Sequence, residues 1–287
     1  MSLLNHVSRR IKSMEWSNDQ NLSTEARLAY DAGIDLIDGY RGDPEVIVEA
    51  LNKFQAAQSR QYAYAGWAYA LMAASYIGGG RKYDMDGLRE AQSWLHEANK
   101  LATRRPEIQF VQLLIQLSLE QYDAYLETKE EIDPAASETN FHVQFAYLDY
   151  CLQTQSLKKA EAQFAKTLSL TQTENQKQKT YIRMTHHFLY AVAMFKVLGD
   201  TLKTSSKSQM RHYAKRADHY FQLMSENAQD DPWFWHNYSL LHYNLGNYWK
   251  AAKYNKKALS LMPFGAAQKI QAELKKKLGT ILYRFAR

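Results

Sequence analysis

Cysteine is almost absent from this 287-residue chain: Cys151 stands alone, which excludes an internal disulfide framework and favours a reducing compartment. Apolar residues make up 46% of the chain, ample for a packed interior. Yet no apolar run approaches the ~20 residues that a membrane-spanning helix needs. Proline occurs five times, and each stands at the edge of a helical pattern. No segment shows the sustained alternation of a strand. The N-terminus lacks the compact apolar core and small-residue cleavage site of a secretory signal. Acids are nearly missing from the C-terminal end. From Lys250 onward ten basic residues meet only Glu273, so this tail carries +9 of a total of +6 and residues 1–249 carry −3.

What is present is helical. Pro44, Pro134 and Pro232 each follow an aspartate, a pair that caps and opens a helix; Pro106 and Pro263 mark further boundaries. Between these marks apolar residues recur at three and four, which predicts an all-α fold. Residues 1–20 form an amphipathic segment with Leu3, Val7, Ile11 and Met14 on one face and Arg9, Arg10 and Lys12 elsewhere. Such a segment fits a first helix packed on the rest, an organellar transit peptide or a helix lying on a membrane. The first of these is preferred, with a cytoplasmic location; an organellar or peripheral-membrane location is the alternative.

A period emerges next. Residues 232–263, PWFWHNYSLLHYNLGNYWKAAKYNKKALSLMP, resemble a tetratricopeptide repeat (TPR) over their whole length. Trp235 stands at the signature aromatic position, Gly246-Asn247-Tyr248 forms the turn, and Ala251, Tyr254 and Ala258 follow at the family's spacing. Ser239 replaces the usual glycine and Asn255 the usual aromatic. The small–bulky–small pattern of the second helix recurs at Ala50/Phe54/Ala57, Ala91/Leu95/Ala98 and Ala160/Phe164/Thr167, and in degenerate form at Ala217/Phe221/Met224. Tyr62, Ala65, Gly66 and Tyr69 repeat the first-helix pattern. Small residues let paired helices approach, and a bulky one fills the gap between repeats.

The resemblance implies a TPR-like α-solenoid of about five to six helix pairs over residues 21–265. Insertions are expected at Gly78-Gly79-Gly80-Arg81-Lys82 and at 199–208, the latter joined to an overlong helix. A basic capping helix over 266–287 is expected to start near Ala266. Its apolar arc of Ile270, Leu274, Leu278, Ile281, Leu282 and Phe285 would cover the last repeat.

No catalytic constellation stands out, so the chain is read as a non-enzyme without cofactor or metal. Adjacent His186 and His187 point to different sides of a helix, His212 and His219 lack a third ligand, and Cys151 has no neighbouring base. By the resemblance, the first helices line a concave, partner-binding face. That places Arg60, Trp67, His142, Phe145, Asp149, Trp233, His236, Tyr243 and Asn244 on it. Large amphipathic rings suit an extended or helical peptide. Some family members clamp an acidic C-terminal tail with lysine and asparagine. Here those positions carry Ala63, Trp67, Phe145 and Asp149, so that clamp is not expected. The expected role is a scaffold or adaptor for a protein or peptide. A basic strip of Lys269, Lys275, Lys276, Lys277, Arg284 and Arg287 could meet an acidic partner or an anionic membrane surface. Single-stranded nucleic acid is the less favoured partner, because positive charge is not spread along the array.

Overall fold

Aspartate–proline pairs open three helices of the computed structural model, in which residues 2–15, 23–76, 83–101, 105–198 and 204–286 are described. Asp43 caps the backbone N–H of Glu45 at 3.0 Å, Asp133 that of Ala136 at 2.8 Å, and Asp231 those of Trp233 and Phe234 at 2.9 and 3.0 Å. Each following proline sits in the first helical turn, where its missing N–H costs nothing. The first expected insertion, Gly78-Gly79-Gly80-Arg81-Lys82, residues 199–203 of the second, and Arg287 lie outside the described residues. Among the described residues the fold is all-helical apart from one isolated antiparallel bridge, Tyr76 to Tyr83. No helix among them is long and apolar enough to cross a membrane.

The chain falls into two compact units, Met1–Thr180 and Tyr181–Arg287. The first contains α1 (Leu3–Lys12), α2 (Thr24–Gly39), α3 (Pro44–Ala56), α4 (Arg60–Ser75), α5 (Met85–Leu101), α6 (Pro106–Ser118), α7 (Tyr122–Glu130), α8 (Pro134–Thr139), α9 (Phe141–Thr154) and α10 (Leu157–Ser169), and ends in the opening turns of α11 (Glu174–Leu198). Here α2, α4, α6 and α9 touch in succession, and α3, α5, α7 and α10 pack against them in turn. Helix α1 packs on α3 and α4 through Val7 and Ile11, both buried. The anchoring alanines Ala50, Ala91 and Ala160 are at most 1% exposed. Phe54 explains one glycine directly. A Cβ at Gly66 would lie 2.4 Å from its ring, so helix α4 can approach only without a side chain there.

The second unit continues α11 and adds α12 (Thr204–Met224), α13 (Pro232–Asn244), α14 (Tyr248–Leu261), α15 (Gly265–Leu278) and α16 (Thr280–Phe285). Phe221, Tyr238 and Tyr254 form a stacked column, with centroids 4.5 and 4.0 Å apart, between α12, α13 and α14. The Tyr238 hydroxyl donates to Asp218 at 2.9 Å. Ser239 fits the expected glycine position because it is buried and its hydroxyl donates to the Ala251 carbonyl at 2.8 Å. Asn255 is different. It is fully buried, and neither amide atom has a hydrogen-bond partner among the described residues. Leucine has nearly the same shape without the desolvated amide. Asn255→Leu is therefore expected to raise stability in chemical denaturation by about 1–3 kcal/mol; a loss would mean that the amide is satisfied.

The C-terminal helix departs from expectation. Gly279 adopts φ +79° and ψ 149°, outside the helical region, so the helix stops at Leu278 and restarts at Thr280. The turn rotates the last segment about its own axis. Tyr283 and Ala286, not Ile281, Leu282 and Phe285, face Ala251, Ala252 and Leu274. Only the first half of the expected apolar arc packs: Leu274 is buried, and Ile270 and Leu278 are half-buried.

Candidate functional site

In the first unit two of the resemblance-derived residues meet at a buried carboxylate that sequence reading passed over, Asp38: His142 directly and Phe145 through Lys179. Asp38 ends α2 with its side chain fully enclosed. The Tyr69 hydroxyl donates to it at 2.7 Å, His142 Nε2 lies 3.0 Å from its other oxygen, and the Lys179 ammonium is hydrogen-bonded to both Asp38 and Tyr69. Burial by itself would raise the Asp38 pKa. The opposing Lys179 charge and then His142 outweigh it and hold the carboxyl well below its ordinary range. Lys179 also lies 4.6 Å over the Phe145 ring and 5.0 Å over Tyr69. Next to it, Thr173 donates to Asp35 at 2.7 Å and Asn175 to the same carboxylate at 3.2 Å. The start of α11 is thereby tied to α2.

The signal for Asp38 was present, since it shares the apolar stripe of Tyr30, Ile34 and Ile37, all buried. A carboxylate in such a stripe needs a partner. Its partners stand 31, 104 and 141 residues away, which no local pattern reveals.

The other residues expected on the partner-binding face divide by exposure. Trp67 is 2% exposed, packed with Tyr64 and Trp94 at 5.2 and 5.1 Å. Phe145 is covered by Lys179. Asp149 is buried beside Tyr125, whose hydroxyl pKa is pushed far up by burial and then by the Asp149 charge. Those three side chains pack helices, while Arg60 is exposed and His142 half-buried.

In the second unit His236 is buried against Phe264 at 5.2 Å, its Nδ1 without a hydrogen-bond partner among the described residues. Burial lowers its pKa to about 4. Trp233 lies 4.3 Å from Phe264 and remains half-buried. Lys196 sits 4.0 Å over the Tyr243 ring and donates to the Tyr243 carbonyl at 3.4 Å. Asn244 is half-buried at the end of α13.

Trp233, Asn237, Leu240, Tyr243 and Asn244 thus form one half-exposed stripe along α13. His186 Nε2 meets Asn237 at 3.3 Å, and Lys196 meets Tyr243. The order of these two contacts shows that α11 runs beside α13 in the same direction.

Of the basic strip, Lys269, Lys276, Lys277 and Arg284 are exposed, whereas Lys275 is half-buried 5.6 Å over Tyr283. The unit boundary sharpens the charge asymmetry. Residues 181–287 hold 17 basic and 6 acidic residues, a formal +11, while residues 1–180 hold 19 and 24, a formal −5. Among the described residues no three His, Cys, Asp or Glu side chains come together to hold a metal ion. Cys151 is buried, and burial raises its pKa against the lowering effect of the Tyr147 hydrogen bond, which leaves the thiol a poor nucleophile. No protein-family model matches the chain, and no curated protein or solved structure matches it either.

Proposed function

We propose that the chain is a non-catalytic scaffold of the tetratricopeptide type, whose first-helix layer binds a protein or peptide segment. The observation that carries this reading is the α13 stripe. Trp233, Leu240 and Tyr243 offer apolar surface, and Asn237 and Asn244, two helical turns apart, offer side-chain amides beside it. Parallel α11 supplies a second wall through His186 and Lys196. An amphipathic surface of this kind suits the side chains and backbone of an extended or helical peptide. The succession α2, α4, α6 and α9, each with its packed partner, supports the repeat reading in the first unit. A reducing, cytoplasmic setting fits the lone buried thiol of Cys151.

Selection of displayed peptides on the immobilised full chain tests the proposal. Selected peptides are expected to bind the native protein and to lose about tenfold or more in affinity for Asn237→Ala/Tyr243→Ala/Asn244→Ala, the range for truncating central interface residues. Equal binding to that variant, with its circular dichroism intact, would remove α13 as the site.

A further inference from the structure

Helix α16 is held firmly by one face and left bare on the other. Lys256 Nζ donates to the carbonyls of Arg284 at 2.8 Å and Ala286 at 3.0 Å, and lies 5.2 Å over the Tyr283 ring. Tyr283 and Ala286 are buried among Ala251, Ala252 and Leu274. With that face fixed, Ile281, Leu282 and Phe285 project outward and are 72, 53 and 63% exposed. Three large apolar side chains grouped on one and a half helical turns are unfavourable in water and mark a contact surface.

The sequence leading into this face is cationic. Lys276 and Lys277 precede it by a few residues, Arg284 lies within it, and Lys269 lies about two turns before Lys276; all four are exposed. Glu273 is the only acid after Asp231, and it is already paired with Lys276 at 2.9 Å. The unit as a whole carries +11. A protein partner is poorly matched to so small a face. Three side chains supply only about a few hundred Å², against roughly 800 Å² per partner in a stable interface. An anionic bilayer matches both features. Its headgroup–acyl boundary accepts apolar side chains to a depth of about 5–10 Å, and its phosphates attract the surrounding lysines and arginine.

We propose that α15 and α16 dock on an anionic phospholipid surface, with Ile281, Leu282 and Phe285 inserted and Lys269, Lys276, Lys277 and Arg284 against the phosphates. Neither contribution holds the protein alone, since stable peripheral attachment takes an apolar anchor and a basic patch together.

Co-sedimentation of the full chain with phosphatidylcholine vesicles, with and without phosphatidylserine, tests this. The native protein is expected to pellet only with the phosphatidylserine vesicles and to be released as salt rises. Ile281→Ser/Leu282→Ser/Phe285→Ser should lower the partition coefficient about tenfold or more. Lys269→Glu/Lys276→Glu/Arg284→Glu should abolish binding, since each lost charge is worth about fivefold. Both variants alter exposed side chains and should keep native circular dichroism; Phe285→Ser alone, a milder change, should weaken binding in the same direction. Three results overturn the proposal: no sedimentation of the native chain at low salt, full binding by the triple serine variant, or self-association in light scattering that the serine variant abolishes while vesicles bind neither protein.

Discussion

Lys179→Met is expected to destabilise the first unit by about 3–5 kcal/mol, the range for leaving one member of a buried ion pair unpaired. Methionine keeps an apolar stem over Phe145 and Tyr69, so the change isolates the ammonium. Asp38 would keep Tyr69 and His142 but lose the cation that outweighs its burial. Adding Asp38→Asn should recover part of the loss, because the remaining buried charge is then gone. In a double-mutant cycle the pair should cost clearly less than the sum of the single changes. Additive costs in urea denaturation, or a single-variant loss below about 1 kcal/mol, would show that the ammonium and carboxylate are not coupled.

The same pair has an acid signature. The folded pKa of Asp38 is depressed, so the folded state binds fewer protons than the unfolded one. Its contribution is complete above the ordinary carboxylate pKa of about 4 and is lost as pH falls below that value.

Acid should reach the second unit at higher pH. His236 is held neutral by burial, with a folded pKa of about 4 against an ordinary 6.5. The depressed value means that the unfolded state takes up the proton first. Stability is therefore complete above pH 6.5 and declines as pH falls from there to about 4. The linkage amounts to about 3 kcal/mol for this shift. Burial also lowers the pKa of His242, with the Asp218 carboxylate opposing it, and so adds a contribution of the same sign. His236→Phe keeps a ring against Phe264 and removes the titrating nitrogens. Urea midpoints measured between pH 7 and pH 4 should fall steeply for the native protein and much less for the variant. Parallel curves would mean that His236 is protonated without unfolding.

Much of the architecture is legible in the sequence because it is set by neighbours within one or two turns. Asp43, Asp133 and Asp231 cap the helices that their prolines start, a local hydrogen bond between residues two or three apart. Ala50, Ala91, Ala160, Ala217 and Ala251 are buried where their spacing places them, since helix periodicity alone sets a face. The overlong α11 is likewise legible, at 25 residues. Exposure along the first helices is harder to read. Trp67, Phe145, Asp149 and His236 have the right phase for a surface, yet neighbouring elements cover them: Trp94, Lys179, Tyr125 and Phe264 respectively.

The C-terminal arc shows the limit most clearly. Ile281, Leu282 and Phe285 share a helical face with Leu274 only if the helix is continuous, and one left-handed glycine ends that continuity. The all-helical class, the positions of the caps and the small residues that let helices approach are all set locally along the chain. These follow from backbone sterics and a period of 3.6. The pairing of Asp38 with a lysine 141 residues away and the outward face of an apolar triplet arise only in the packed molecule. Pairing across that distance and rotation about Gly279 depend on where whole helices come to rest, which no local spacing encodes.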